Sequence, residues 1–121
     1  MFNFLRPSGG ARVERIDPRE AVSKVAKGEI VLLDVREGME WRHGHAKGAL
    51  HVPLMALKMK CDPSSPERLK ELSVDKPVAL YCASGARSAG AAQMLAAMGY
   101  AHVYNLGGLY DWHAAGGPVV R

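Results

Sequence analysis

At 121 residues the chain can bury one ordinary core and is too short for two domains. Hydrophobic residues make up 48% and charged residues 23%, and the net charge of +4 comes from bases scattered along the chain, which excludes a dedicated nucleic-acid stripe but suits attraction of a small anion. Two cysteines are too few for a disulfide framework, and no stretch approaches the roughly 18 apolar residues of a membrane span, so a cytoplasmic, reduced protein with no nucleic-acid and no membrane partner is expected.

Residues 1–11, broken by Pro7, Gly9 and Gly10, read as a flexible N-terminal arm, with residues 12–121 as one domain. "RVERI" (12–16) alternates polar and apolar and predicts a short strand. Asp17-Pro18-Arg19-Glu20 reads as a helix start, with Asp17 as cap, and Gly28 ends that helix. "EIVLLDV" (29–35) is a continuous aliphatic run, the mark of a strand covered on both faces. Gly44, Gly48 and Pro53 mark a long irregular stretch after it, with "ALHV" as a short strand. Helices are expected at about 54–60 and again from Ser65-Pro66-Glu67 to Leu72. "PVALYC" (77–82) is a second buried strand, and 86–98 a helix stopped by Gly99. Gly90 inside that helix costs about 1 kcal/mol relative to Ala, which predicts close helix–sheet packing there. "AHVYNL" is a third strand, and 108–115 a last short helix. Strands alternating with helices imply βαβ units: a three-layer α/β/α fold on a mainly parallel sheet of about five strands. In such sheets sites form at the carboxyl ends of strands.

Cys82 stands at such an end, followed by Ala83, Ser84, Gly85, Ala86, Arg87 and Ser88. Small residues and a glycine let the backbone curl so that successive N–H groups face one concavity, and the next helix adds its positive end. A thiol over that cradle acquires a depressed pKa and becomes a nucleophile for an anionic electrophile. The competing reading is a buried strand-end hydrophobe, as most cysteines are. A phosphatase loop of the Cys-x5-Arg kind needs its Arg six residues after the cysteine, whereas Arg87 lies five on. Thioredoxin-type exchange needs a second cysteine where Gly85 stands, and none of the five histidines is an obvious base beside Cys82. Attack on a sulfane sulfur fits this loop, because its leaving sulfite departs as an anion.

Four stretches in order resemble the single-domain rhodaneses, the sulfurtransferase fold. They are "LLDVRE" (32–37), "EWRHGHAKGALHVP" (40–53), "YCASGARS" (81–88) and "NLGGLYDW" (105–112). The resemblance implies a rhodanese-like domain over 12–121, in which Cys82 takes the outer sulfur of thiosulfate or another persulfide donor. The backbone of Ala83, Ser84, Gly85, Ala86, Arg87 and Ser88 would cradle the small anionic sulfur donor. A thiophile such as cyanide, a thiol or a protein cysteine would then accept the sulfur, with no cofactor and no metal. A persulfide carrier that hands sulfur to a partner protein, with little thiosulfate turnover, shares every one of these residues. Ala46 and His51 depart from the usual Ile and Asn. Asp34 and Arg36 are expected to give structural support to the loop, with Arg87 either on Asp34 or on substrate. His43 and His45 lack a third ligand at zinc-like spacing and read as structural. Cys61 reads as an unengaged thiol.

Overall fold

The computed structural model describes residues 12–121; the expected arm at 1–11 lies outside them. In chain order the elements are β1 (Val13–Arg15), α1 (Pro18–Ala26), β2 (Val31–Asp34), α2 (Gly38–His43), β3 (His45–Ala46) and β4 (Leu50–His51). A 3-10 turn (Leu54–Ala56) then leads into α3 (Leu57–Cys61), β5 (Val78–Cys82), α4 (Ala86–Ala97), β6 (Val103–Gly108), α5 (Leu109–Ala114) and β7 (Val119–Val120). Five strands form one parallel sheet in the order β1-β6-β5-β2-β4, and β3 and β7 form a small antiparallel pair.

Alternation along the central strands divides the core into two layers. Leu33, Val78, Leu80 and Cys82 face one way and pack with Leu57 of α3 and Ala91, Ala92 and Leu95 of α4. Leu32, Ala79 and Tyr81 face the other way and pack with Ala21 of α1 and Trp112 of α5. Helices therefore cover both faces, as the unbroken aliphatic runs require. Each Leu or Val so buried contributes roughly 1.5–3 kcal/mol.

Local chemistry sets the boundaries. Asp17 caps α1 by accepting the Arg19 amide at 2.8 Å, while Glu20 pairs with Lys24 one turn on. The helix expected at Ser65–Leu72 does not form; the segment is a run of turns. Side chains there capture the backbone. Asp62 Oδ1 accepts the Ser64 amide at 2.9 Å, and Ser65 Oγ accepts the Glu67 amide at 3.1 Å while donating to the Met59 carbonyl at 2.6 Å. Such bonds compete directly with the helical ladder. The stretch after β2, expected to be irregular, instead contains α2, where Glu40 Oε1 accepts the Glu37 amide at 3.0 Å.

The expectation for Gly90 is also corrected. It lies on the exposed side of α4, and a Cβ there meets nothing within 4 Å. Gly90→Ala is therefore expected to stabilise the fold by about 0.5–1 kcal/mol in urea unfolding, through lost chain entropy in the unfolded state alone.

Candidate active site

The cysteine loop is set by three local features. β5 delivers Cys82 to the carboxyl edge of the sheet, Gly85 takes a φ of +101° at the start of α4, and a bulge falls between β5 and β6. Through that bulge, Leu80 pairs with Asn105 but Tyr81 with Gly107, so β6 contributes an extra residue. The result sets Gly108 beside the loop. A Cβ on Gly108 would lie 2.2 Å from the Ala83 carbonyl oxygen, so only glycine admits this approach.

Cys82 Sγ accepts the Gly85 amide at 3.0 Å and the Ser88 amide at 3.4 Å, and Ser88 Oγ lies 3.4 Å away. Burial pushes the thiol up. The Ser88 hydroxyl and the amides of Ser88, Gly85 and Ser84 outweigh it, and the Cys82 thiol titrates below its ordinary value. The Ser88 hydroxyl carries a single proton, and its shortest acceptor is Asn105 Oδ1 at 2.7 Å. The amides are thus the permanent donors of the cradle. Asn105 is a residue that pattern reading missed: its Oδ1 also accepts the Gly107 amide at 3.1 Å and its Nδ2 donates to the Gly85 carbonyl at 3.2 Å. It ties the loop to β6.

The candidate residues are brought together unevenly. Ser84, Gly85 and Ser88 act on the sulfur, while Ala83 and Ala86 form the exposed outer part of the loop. Arg87 hydrogen-bonds neither Cys82 nor Asp34. Its NH1 and NH2 donate to Glu40 Oε1 and Oε2 at 2.8 and 2.9 Å, a bidentate pair at the rim. Glu40 stood in the sequence without an assigned role, because only the position of α2 reveals what it faces. Asp34 is instead the partner of Arg36, with NH2 to Oδ2 at 2.7 Å. It also accepts the Tyr81 hydroxyl at 2.6 Å, and Arg36 donates to the Gly44 carbonyl at 2.6 Å. This buried network ties β2 to β5 and β3 and reaches the cysteine loop only through Tyr81, the residue before Cys82.

The histidines brace α2. The His45 ring stacks on Trp41 at 3.4 Å between centroids and His51 at 4.8 Å, with His51 Nε2 on the Arg36 carbonyl at 2.8 Å. Among the described residues no three His, Cys, Asp or Glu side chains cluster as a metal site would need, and no helix is long and apolar enough to cross a membrane. A mostly apolar cavity of about 350 Å³ between α1 and Trp112 has no residue of the cysteine loop in its lining.

Cys61 is as buried as Cys82 but differs in what surrounds its sulfur. It is buried in the core with no donor to its sulfur, and burial pushes its thiol up to about 11. Iodoacetamide is expected to label Cys82 in the folded protein at least about 100-fold faster than Cys61, with Cys61 reacting only after unfolding; peptide mass mapping checks this.

A doubly covered parallel sheet that ends a central strand in a thiol, wrapped by an amide-donating loop, is the class of α/β protein that the fold and the site define. The rhodanese-like domain family model matches residues 17–115, and the chain belongs to that family. It is 36% identical over 110 residues to a sulfurtransferase of Allochromatium vinosum, covering 89% of this chain and 95% of that one. It is 30% identical over 105 residues to a thiosulfate sulfurtransferase of Vibrio cholerae, covering 86% and 92%. An uncharacterised Bacillus subtilis protein is 44% identical over 82 residues, and this match spans 67% of the chain but 59% of that protein. Among solved structures, a protein of unknown function from Rhodopseudomonas palustris, described as a possible tyrosine phosphatase, superposes with a TM-score of 0.77 at 32% identity, covering 89% and 85%. A rhodanese with anions from Escherichia coli superposes at 0.63 and 32% identity, covering 76% and 98%.

Proposed function

We propose that this chain is a sulfurtransferase that moves a sulfane sulfur from thiosulfate or another persulfide donor to a thiophilic acceptor through a persulfide on Cys82. The observation that carries it is the sulfur itself, held at a strand end by the amides of Gly85 and Ser88 at 3.0 and 3.4 Å. Names of family relatives support sulfur transfer as the general chemistry.

In the first step the Cys82 thiolate attacks the sulfane sulfur of thiosulfate. A Cys–S–S bond forms, the bond to the sulfonyl sulfur breaks, and its electron pair leaves with sulfite. In the second step a thiophile, such as cyanide or a thiolate, attacks the outer sulfur and returns the pair to Cys82. Neither step moves a proton to the leaving group, so the absence of a base beside the sulfur is no obstacle. The loop amides solvate the thiolate first and the persulfide afterwards. Cys82 has no exposed surface, and Ala83 and Ser84 next to it are the exposed part of its loop. Asp34 and Arg36 support the loop from beneath through Tyr81. A cytoplasmic setting belongs to the same proposal.

Phosphoryl chemistry is disfavoured by the same geometry. The loop is one residue shorter than a phosphatase loop, and both terminal nitrogens of its single Arg are held by Glu40. A second reading, a persulfide carrier serving a partner protein with little thiosulfate turnover, draws its support from that neutralised Arg87. Incubation with thiosulfate, then intact mass and turnover with cyanide, tests the proposal. A gain of one sulfur (about 32 Da) on Cys82 with ping-pong turnover is expected. The adduct without turnover makes the chain a carrier, and no adduct from thiosulfate or a persulfide overturns both readings.

A further inference from the structure

Arg87 is the one charged residue in the loop from Ala83 to Ser88, and its charge is already matched. Both terminal nitrogens lie on the Glu40 carboxylate, and the two side chains are 33% and 34% exposed at the rim. The hydrogen bond from Arg87 is the chief cause that holds the Glu40 carboxyl down, at about 2, so the pair is fully ionised wherever the thiolate exists. The hydrogen bond to Glu40 is the chief cause that raises the Arg87 guanidinium, and the charge of Cys82, five residues earlier in the same loop, adds to it. Yet no Arg87 hydrogen bond reaches Cys82; the amide donors to Sγ are Gly85 N and Ser88 N.

From this arrangement we infer that Glu40 is a positioning residue that sets donor choice: by holding and neutralising Arg87 it biases the cysteine loop toward monoanionic persulfides and against dianionic thiosulfate. The inference rests on the sulfurtransferase reading and names the donor class for the same site. With a persulfide RSS⁻, the Cys82 thiolate attacks the terminal sulfur, the old S–S bond breaks, and its electron pair leaves on RS⁻. No proton, oxidant or reductant is consumed. The complex with thiosulfate carries one more negative charge than the complex with RSS⁻. A net-neutral ion pair is nearly indifferent to that extra charge, whereas a lone guanidinium on the same loop favours it.

Glu40 also closes the first turn of α2 by accepting the Glu37 amide at 3.0 Å. Gln can keep the oxygen that accepts the Glu37 amide and Arg87 NH1 while it loses the charge and the acceptor for Arg87 NH2, so Glu40→Gln is the variant of choice. The measurement is the second-order rate constant for loading Cys82, from rapid quench and intact mass, with thiosulfate and with cysteine persulfide as separate donors. In Glu40→Gln the thiosulfate constant is expected to rise about five- to tenfold relative to the cysteine persulfide constant. The gain should fade as salt rises toward about 0.5 M, because screening weakens a partly exposed charge. Arg87→Gln should shift the ratio the other way, since it leaves Glu40 as an unmatched anion. The double variant, neutral again, should return the ratio to within about twofold of wild type.

A purely structural Glu40 would slow both donors by one factor, and that result overturns the inference. A Glu40→Gln ratio that moves toward cysteine persulfide, or a double variant that fails to restore it, does the same. If Glu40→Gln does not fold, the Arg87→Gln shift and its reversal in the double variant decide the question. Wild type that loads from neither donor overturns the sulfurtransferase reading itself, and this inference with it.

Discussion

A Cys82→Ser chain is expected to stay at its unmodified mass after incubation with thiosulfate, and its sulfur transfer should fall by at least about a thousandfold. The fold should survive the change. Serine is close in size to cysteine, and its oxygen still accepts the Gly85 and Ser88 amides that Sγ accepts at 3.0 and 3.4 Å. What is lost is the nucleophile. A serine hydroxyl stays protonated near neutral pH, and the same amides cannot lower it far enough to ionise. The wild-type rate carries a second signature of this cradle. Burial works against ionisation of Cys82, but the Ser88 hydroxyl and the loop amides overcome it and depress the thiol below its ordinary value. The thiolate is the reactive form, so loading should rise with pH and level off with a midpoint below that of an unperturbed cysteine in an unfolded peptide of the same chain. A midpoint at or above that value, or an adduct on the serine variant, would contradict the assignment of Cys82.

The parts that the sequence made legible are those governed by local rules. Unbroken aliphatic runs at β2 and β5 announced strands covered on both faces, and the sheet with helices on each side follows from their alternation with helices. Asp17 and Pro18 marked the start of α1 because capping is a contact between near neighbours. The failures are equally physical. Ser65–Leu72 has helical composition, but Asp62 and Ser65 take the backbone amides that a helix would use. Gly90 looked like a packing residue because its cost in a helix suggested a compensating close contact, yet it lies on the exposed side of α4 with open space around it. The short strand β3 was invisible, since its partner β7 lies more than seventy residues away in sequence.

The site divides in the same way. Cys82 and its loop are contiguous, and composition alone suggested a backbone cradle. The partners that fix the loop are not contiguous. Glu40 and Asn105 lie 47 and 17 residues from Arg87 and Ser88, and only the packing of α2 and β6 selects them. The pairing of Arg87 with Asp34, weighed from sequence, is replaced by two separate ion pairs. Asp34 lies in the buried network under the sheet, where Arg36 from its own strand end already satisfies it. Arg87 meets the acid on the other side of the loop.

That buried network carries the largest expected effect on stability. Asp34→Asn should cost about 3–5 kcal/mol in urea unfolding, because it leaves the Arg36 guanidinium buried without its counter-charge. Asp34 is fully buried and accepts four kinds of donor at once: the Arg36 amide at 2.8 Å, its Nε at 3.1 Å, its NH2 at 2.7 Å and the Tyr81 hydroxyl at 2.6 Å. Asparagine has one acceptor oxygen. Its amide group would put further N–H donors against Arg36 and Tyr81, while the Ala46 amide already donates to the Tyr81 oxygen at 2.9 Å. The guanidinium keeps the Gly44 carbonyl at 2.6 Å and its approach to the Tyr81 ring at 5.5 Å. Neither supplies a negative charge. If the loss comes from an uncompensated cation, removing that cation should relieve it, and Asp34→Asn with Arg36→Met should recover more than half of the loss. A cost below about 1 kcal/mol for the single variant would mean that water reaches the guanidinium and that the pair behaves as a surface ion pair. Sulfur chemistry offers an independent reading of the same variant. Tyr81 is the residue before Cys82, so loosening its hydroxyl should slow loading of Cys82 even at temperatures where the chain remains folded.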